Sequence, residues 1–136
     1  MANITAVRDP GEQDGKIYPF PVKASTKLWS GAAVLTDASG WLDNAADTTG
    51  TKFAGIMDKT ADNSAGANGA IKGRVIRRGV FDFVFGGTAT QATVGKKVYA
   101  SDNQTVNTTT TNSILVGTVV EVVSATKVRV EITPAA

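Results

Sequence analysis

The side chains able to do chemistry in this chain are hydroxyls, carboxylates and amines, because its 136 residues include no histidine and no cysteine. The commonest general base and the commonest metal ligand are missing together, and disulfide frameworks and thiolate metal sites are excluded. Asp37, Asp43 and Asp47 stand close in sequence, but they lie among turn residues without the alternate ligands, central glycine and closing glutamate of a calcium loop. A glycosidase needs two opposed carboxylates in a cleft. Glu121 and Glu131 could face each other across a hairpin, yet Arg129 and Lys127 are their simpler partners. A serine or threonine nucleophile would have to use lysine as its base. Ser25-Thr26-Lys27 and Ser101-Asp102-Asn103 match only fragments of such motifs, with no helical setting. Gly66-Ala67-Asn68-Gly69 and Gly86-Gly87 read as turns, since no strand-to-helix step of a phosphate loop follows them. The chemistry therefore predicts a non-enzymatic protein with no metal and no cofactor.

The elements around these residues are short strands and turns. Residues 53–59 and 71–85 are rich in β-branched and aromatic residues, and the intervening 60–70 has a turn composition. Tyr18-Pro19-Phe20-Pro21-Val22 predicts an edge or entry strand, because neither proline can donate to a ladder. Residues 32–36 form the next strand, ahead of a turn at Asp37-Ala38-Ser39-Gly40. Ile76 breaks the alternation of Ile71 and Val75 just before Arg77-Arg78-Gly79, which predicts a bulge or sharp bend. Phe81, Phe83 and Phe85 share one face, most simply the core, with Asp82 on the other. A single helical turn is expected within 88–94, a hairpin at Asp102-Asn103, and an exposed loop or edge at 108–112. The clearest hairpin joins 114–123 to 127–133 and should be central to its sheet. An internal echo runs through the chain. Gly31, Val34, Leu35 and Leu42 match Gly95, Val98, Tyr99 and Val106, and Gly55 and Gly117 open comparable strands.

These patterns predict an all-β fold, a small β-barrel or β-sandwich of short antiparallel strands, as one domain over residues 17–136. Residues 1–16 are polar, with short apolar clusters at Ile4 and Val7, and form either a frayed terminus or an arm that orders against a partner. No apolar run approaches the roughly 18 residues needed to span a bilayer, and the start lacks the apolar stretch of a signal peptide. The formal net charge is +2, and the basic residues are dispersed, adjacent only at Arg77-Arg78 and Lys96-Lys97. A sequence-independent nucleic-acid binder concentrates such charge and interleaves it with exposed aromatics. Trp29 and Trp41 flank the first hairpin and are either interface anchors or core.

The order of blocks resembles the small capsid decoration, or cement, proteins of tailed bacteriophages. The likeness covers residues 23–132, from GAAVLT through the 53–81 stretch, VGKKVYASDNQTV and LVGTVVEV to KVRVEI. Its most specific pieces are Arg77-Arg78-Gly79-Val80-Phe81 and the run from Gly95 to Asp102, and their order and spacing carry it. The resemblance implies a structural virion protein, made in the host cytoplasm, that sits on the outside of the phage head and bridges major capsid protein subunits. It also implies a homo-oligomer, a homotrimer favoured over a homodimer, with no small-molecule substrate, membrane or direct nucleic-acid partner, and it transfers no catalytic residue. On this expectation the capsid or oligomer interface draws on Ile4, Val7 and Arg8 of the arm, on Trp29 and Trp41, and on Lys72, Arg74 and Arg78. The three last-named cations would meet an acidic capsid surface, or else lie on a solvated strand face. The remaining alternatives are another virion component, such as a head-fibre base or a tail-tube-like subunit, and an OB-like nucleic-acid-binding barrel.

Overall fold

The computed structural model describes residues 16–134. Its strands fall into two lobes. Residues 16–78 hold β1 (Ile17–Pro21), β2 (Thr26–Leu28), β3 (Ala33–Thr36), β4 (Leu42–Asn44), β5 (Lys52–Met57), β6 (Ala61–Asn63) and β7 (Lys72–Ile76). Residues 79–134 hold β8 (Val80–Phe85), a 3-10 turn (Gln91–Thr93), β9 (Lys97–Ala100), β10 (Thr105–Asn107), β11 (Leu115–Ser124) and β12 (Lys127–Ile132). The all-β expectation holds, and barrel wins over sandwich: the second lobe is a closed barrel in the order β10-β8-β12-β11-β9. Its closing ladder, between β10 and β8, is parallel, whereas its other ladders are antiparallel.

The first lobe follows the same path. Its sheet runs β1-β7-β5-β3-β4, so β1 stands for β8, β7 for β12, β5 for β11, β3 for β9 and β4 for β10. The registers agree residue by residue. Leu35 faces Phe53 and Val34 faces Gly55, with one residue bulged between them; Tyr99 faces Leu115 and Val98 faces Gly117, with the bulge in the same place. Tyr18 pairs with Val75 as Phe81 pairs with Val130. Gly31 donates its N–H to Met57 at 2.9 Å, and Gly95 donates to Val119 at 2.8 Å. The faint sequence echo is therefore a repeat of the whole five-strand unit.

Glycine is required at both bulges because two backbones touch there. A Cβ on Gly55 would run into the Ile76 carbonyl oxygen, and one on Gly117 into that of Glu131. The lobes differ in how they close. In the second, Val84 N–H donates to Gln104 at 2.9 Å and Gly86 N–H to Val106 at 2.9 Å. In the first, Lys23 N–H donates to Leu42 at 3.0 Å, but the counterpart of Val84 is Pro21, which has no N–H. Among the described residues one parallel bridge, Val22 to Leu42, takes the place of a full ladder between the outer strands. The edge character expected for 18–22 is thus real, and proline is its cause.

One sequence expectation needs correction and another is narrowed. The stretch 60–70 is not turn throughout, because Ala61–Asn63 forms β6 and pairs with β2. Its anchor is Asn63, buried, whose side-chain amide donates to the carbonyls of Val22, Lys23 and Ala67 at 2.9 to 3.2 Å. Of the bulge or sharp bend expected there, Gly79 forms the bend. It has φ 134 and links β7 of the first sheet to β8 of the barrel. Elsewhere the pattern holds: Phe83 and Phe85 are buried with Phe81 packed against them, the helical turn sits at Gln91–Thr93, and β12 lies between β8 and β11.

The lobes share apolar contacts. The barrel interior, with Val98, Val116, Val119, Val128 and Val130, forms one cluster with Ala33, Leu35, Phe53 and Ile56 from β3 and β5. The first lobe keeps its own core of Val22, Leu28, Val34, Leu42, Met57 and Val75. Alternation explains the split, since residues on one face of β3 point into their own sheet and those on the other toward the barrel. Polar ties reinforce the seam. Asp47 accepts from the N–H groups of Thr111 and Asn112 at 3.0 and 2.8 Å, and Ala33 N–H donates to Asn103 at 2.8 Å. Thr108 to Asn112, expected as loop or edge, is loop fastened by Asp47.

Candidate docking face

The repeated strands β7 and β12 expose repeated charges, because Lys72-Gly73-Arg74-Val75 and Lys127-Val128-Arg129-Val130 alternate outward cation with inward apolar residue or glycine. On the second lobe these cations are neutralised within the face. Asp82 on β8 lies directly opposite Arg129, and its carboxylate meets Arg129 Nε at 3.1 Å and Lys127 Nζ at 3.3 Å. Glu121 on β11 meets Arg129 Nη1 at 3.0 Å. The hydrogen bond from Arg129 holds the Asp82 carboxyl below its ordinary range, and the Asp82 bond in turn raises the guanidinium.

The first lobe keeps one of these contacts and lacks the other. Arg74 Nε meets Asp58 at 3.4 Å, as Arg129 meets Glu121. The residue opposite Arg74 is Pro19, where the second lobe has Asp82. Lys72, the counterpart of Lys127, is exposed and has no carboxylate in ion-pair reach among the described residues. Of the expected interface residues, the structure brings Lys72 and Arg74 together on β7, and places Arg78 in the exposed link beside Gly79. Trp29 and Trp41 part company. Trp29 is 57% exposed with Lys27 Nζ 4.0 Å from its ring centroid, while Trp41 is half-buried against the turn at Gly69. Ile4, Val7 and Arg8, and the arm as a whole but for Lys16, lie outside the described residues.

With this geometry in place, comparison with known families gives a decisive match: the model of the phage cement protein family covers residues 12–134. The chain belongs to the phage cement protein family. No curated protein and no solved structure matches it. Family membership makes it a structural, capsid-associated phage component.

The residues weighed for chemistry have structural work in this cement protein. Asp37 accepts from the N–H groups of Ser39 and Trp41, and Asp102 from those of Gln104 and Thr105, each closing a turn. Asp43 meets Lys23 Nζ at 3.4 Å. Asp62 caps its own turn, and the Ser64 hydroxyl that bonds it lowers its pKa. Among the described residues no three carboxylates gather as metal ligands. Phe83 and Phe85 are inside the barrel, so the stacking platform of an OB-like nucleic-acid reader is not on the surface. Sequence reasoning paired Lys127 and Arg129 with the two glutamates and missed Asp82, which is the carboxylate that bridges them. The signal was there: Asp82 is the outward residue between Phe81 and Phe83 on a strand that had to lie beside the last hairpin.

Proposed function

We propose that this cement protein binds the outer surface of the phage head and bridges neighbouring major capsid subunits, stabilising the shell without catalysis. The observation that carries this is the extent of the family match, which takes in both lobes and their link, so that the described fold is itself the cement module. Physical features support it. A closed barrel in one lobe and an apolar seam shared by both give a stiff body, and a stiff body loses little entropy on docking. Many modest contacts repeated over a lattice reinforce one another through effective concentration. In this proposal the protein acts as a homo-oligomer, a trimer in preference to a dimer, and residues 1–16 pair with a capsid strand by β-augmentation. Trp29, exposed beside Lys27, and the cations Lys72, Arg74 and Arg78 supply further contact with the capsid or the neighbouring copy.

The test is to add the purified full chain to heads lacking it, and to measure occupancy by cryo-electron microscopy and the heat resistance of the filled heads. Density on the outer surface over the junctions between capsid subunits, with heads that rupture at higher temperature, is the expected result. Virions that never contain the chain would end the proposal.

A further inference from the structure

From the comparison of the two outer faces we infer that the β1–β7 face of the first lobe is the capsid-docking face, and that the capsid surface supplies the carboxylate that Pro19 displaces. The inference rests on the capsid-binding role proposed above. The second lobe provides the template: a single carboxylate, Asp82, bridges Arg129 and Lys127 at 3.1 and 3.3 Å. The backbone positions of Arg74 and Lys72 repeat those of Arg129 and Lys127, register for register. With Pro19 opposite Arg74, the same two cations stand on a solvent-facing strand with no carboxylate at that bridging position among the described residues. Arg74 Nε lies 3.4 Å from Asp58, an ion pair that leaves most of the five N–H groups of the guanidinium to give.

The charge distribution favours an acidic partner and this lobe. Residues 16–78 carry nine basic and five acidic side chains, whereas residues 79–134 carry four of each. The net positive charge of the described residues thus resides in one lobe, and the other is neutral overall. Proline also shapes what can dock. Val22 N–H donates to Ile71 and Arg77 N–H to Lys16, so along the antiparallel ladder the nitrogens of Pro19 and Pro21 fall on the side away from β7. An added strand would find no N–H at those two positions, and the partner must instead engage the face through side chains. A protein surface bearing a carboxylate over Lys72 and Arg74 meets these conditions.

The experiment restores the missing carboxylate within the protein. Pro19→Asp places an acid where the second lobe has one, and Lys72→Gln removes the unneutralised charge; Lys127→Gln on the second lobe is the control. Each full-length variant is titrated onto heads lacking the protein, at low and high salt, after circular dichroism confirms the fold. Pro19→Asp and Lys72→Gln should each weaken binding about fivefold at low salt and flatten its salt dependence, while Lys127→Gln binds as the parent does. If Pro19→Asp fails to fold, Lys72→Gln decides. Parent-like binding by the folded variants overturns the inference while leaving the cement role intact, because the parent chain still loads. Failure of the parent chain to load sinks the role itself. A change confined to the oligomer mass of the free protein, or to its binding of duplex DNA, would give the face to another occupant and also overturn it.

Discussion

The interiors of the two lobes answer one packing problem with different volumes. Where the second lobe has Val119 and Val128, the equivalent positions of the first hold Met57 and Gly73. A Cβ built on Gly73 would lie 3.0 Å from the Met57 methyl and 3.3 Å from Leu42. A large side chain has been exchanged for two medium ones, and the strand path has not moved. By contrast the bulge glycines, Gly55 and Gly117, are the same in both lobes. Side-chain volume can trade between neighbours, but a place where two backbones touch admits no trade.

The most severe ways to break the comparison are therefore alanine substitutions at the two bulge glycines, beginning with Gly117→Ala. The new methyl meets the Glu131 carbonyl oxygen and nearby backbone carbon at 2.9 Å, neither of which can turn aside. A loss of about 3 kcal/mol or more is expected, at the upper end of overpacking costs. Gly55→Ala should cost at least as much, because its φ of 144 is also strained for any residue with a side chain. Urea denaturation measures both, and a loss below about 1 kcal/mol at either site would mean that the bulges are not fixed by backbone contact.

A milder substitution sharpens the comparison. Met57→Val alone should leave a void costing about 1–2 kcal/mol, and Gly73→Val alone should overpack by about 1–3 kcal/mol. Together they recreate the pair found in the second lobe, so the double variant should be more stable than the sum by about 1 kcal/mol or more. Strict additivity would show that the two positions do not share space.

How far this duplication could be read from the sequence depends on which strands are considered. Gly31 to Leu42 against Gly95 to Val106 was visible because both hairpins keep the same length. The match of Lys72-Gly73-Arg74-Val75 to Lys127-Val128-Arg129-Val130 was also written in the chain, but the first lobe inserts β6 and the Asn63-centred loop where the second has only Ser124-Ala125-Thr126. That insertion shifts the spacing, so a fixed-period comparison loses the second half of the unit. Strand β6 itself was hidden because Asp62 and Asn63 have turn-forming side chains and Ala61 has no strand preference, and it is paired by tertiary context from β2. The candidate docking face was half legible. Lys72 and Arg74 could be chosen as outward cations from alternation alone, but that one lacks a bridging carboxylate emerges only when Pro19 and Asp82 are seen to occupy one position.

The smallest effect tests that last difference through acid. Asp82 has its pKa lowered in the folded protein, first by the Arg129 hydrogen bond. A carboxyl whose folded value lies below its unfolded value, about 3.9 for aspartate, binds protons less readily when folded, so it adds stability that is complete above the unfolded value. That contribution fades as pH falls through the lower folded value. Asp82→Asn should flatten this acid limb of the stability curve and lower stability slightly at neutral pH, where the variant can no longer neutralise Lys127 and Arg129. Hydrogen exchange gives the lobe-specific readout: acid should lower protection at Val128 and Val130 in the parent, and Asp82→Asn should remove the part of that change due to this carboxylate. The paired positions Gly73 and Val75 face a strand with Pro19 instead, so the same substitution should leave their acid response unchanged. Equal changes at both strands would show that the outer faces are electrostatically alike, and the physical distinction between the lobes would reduce to their interiors.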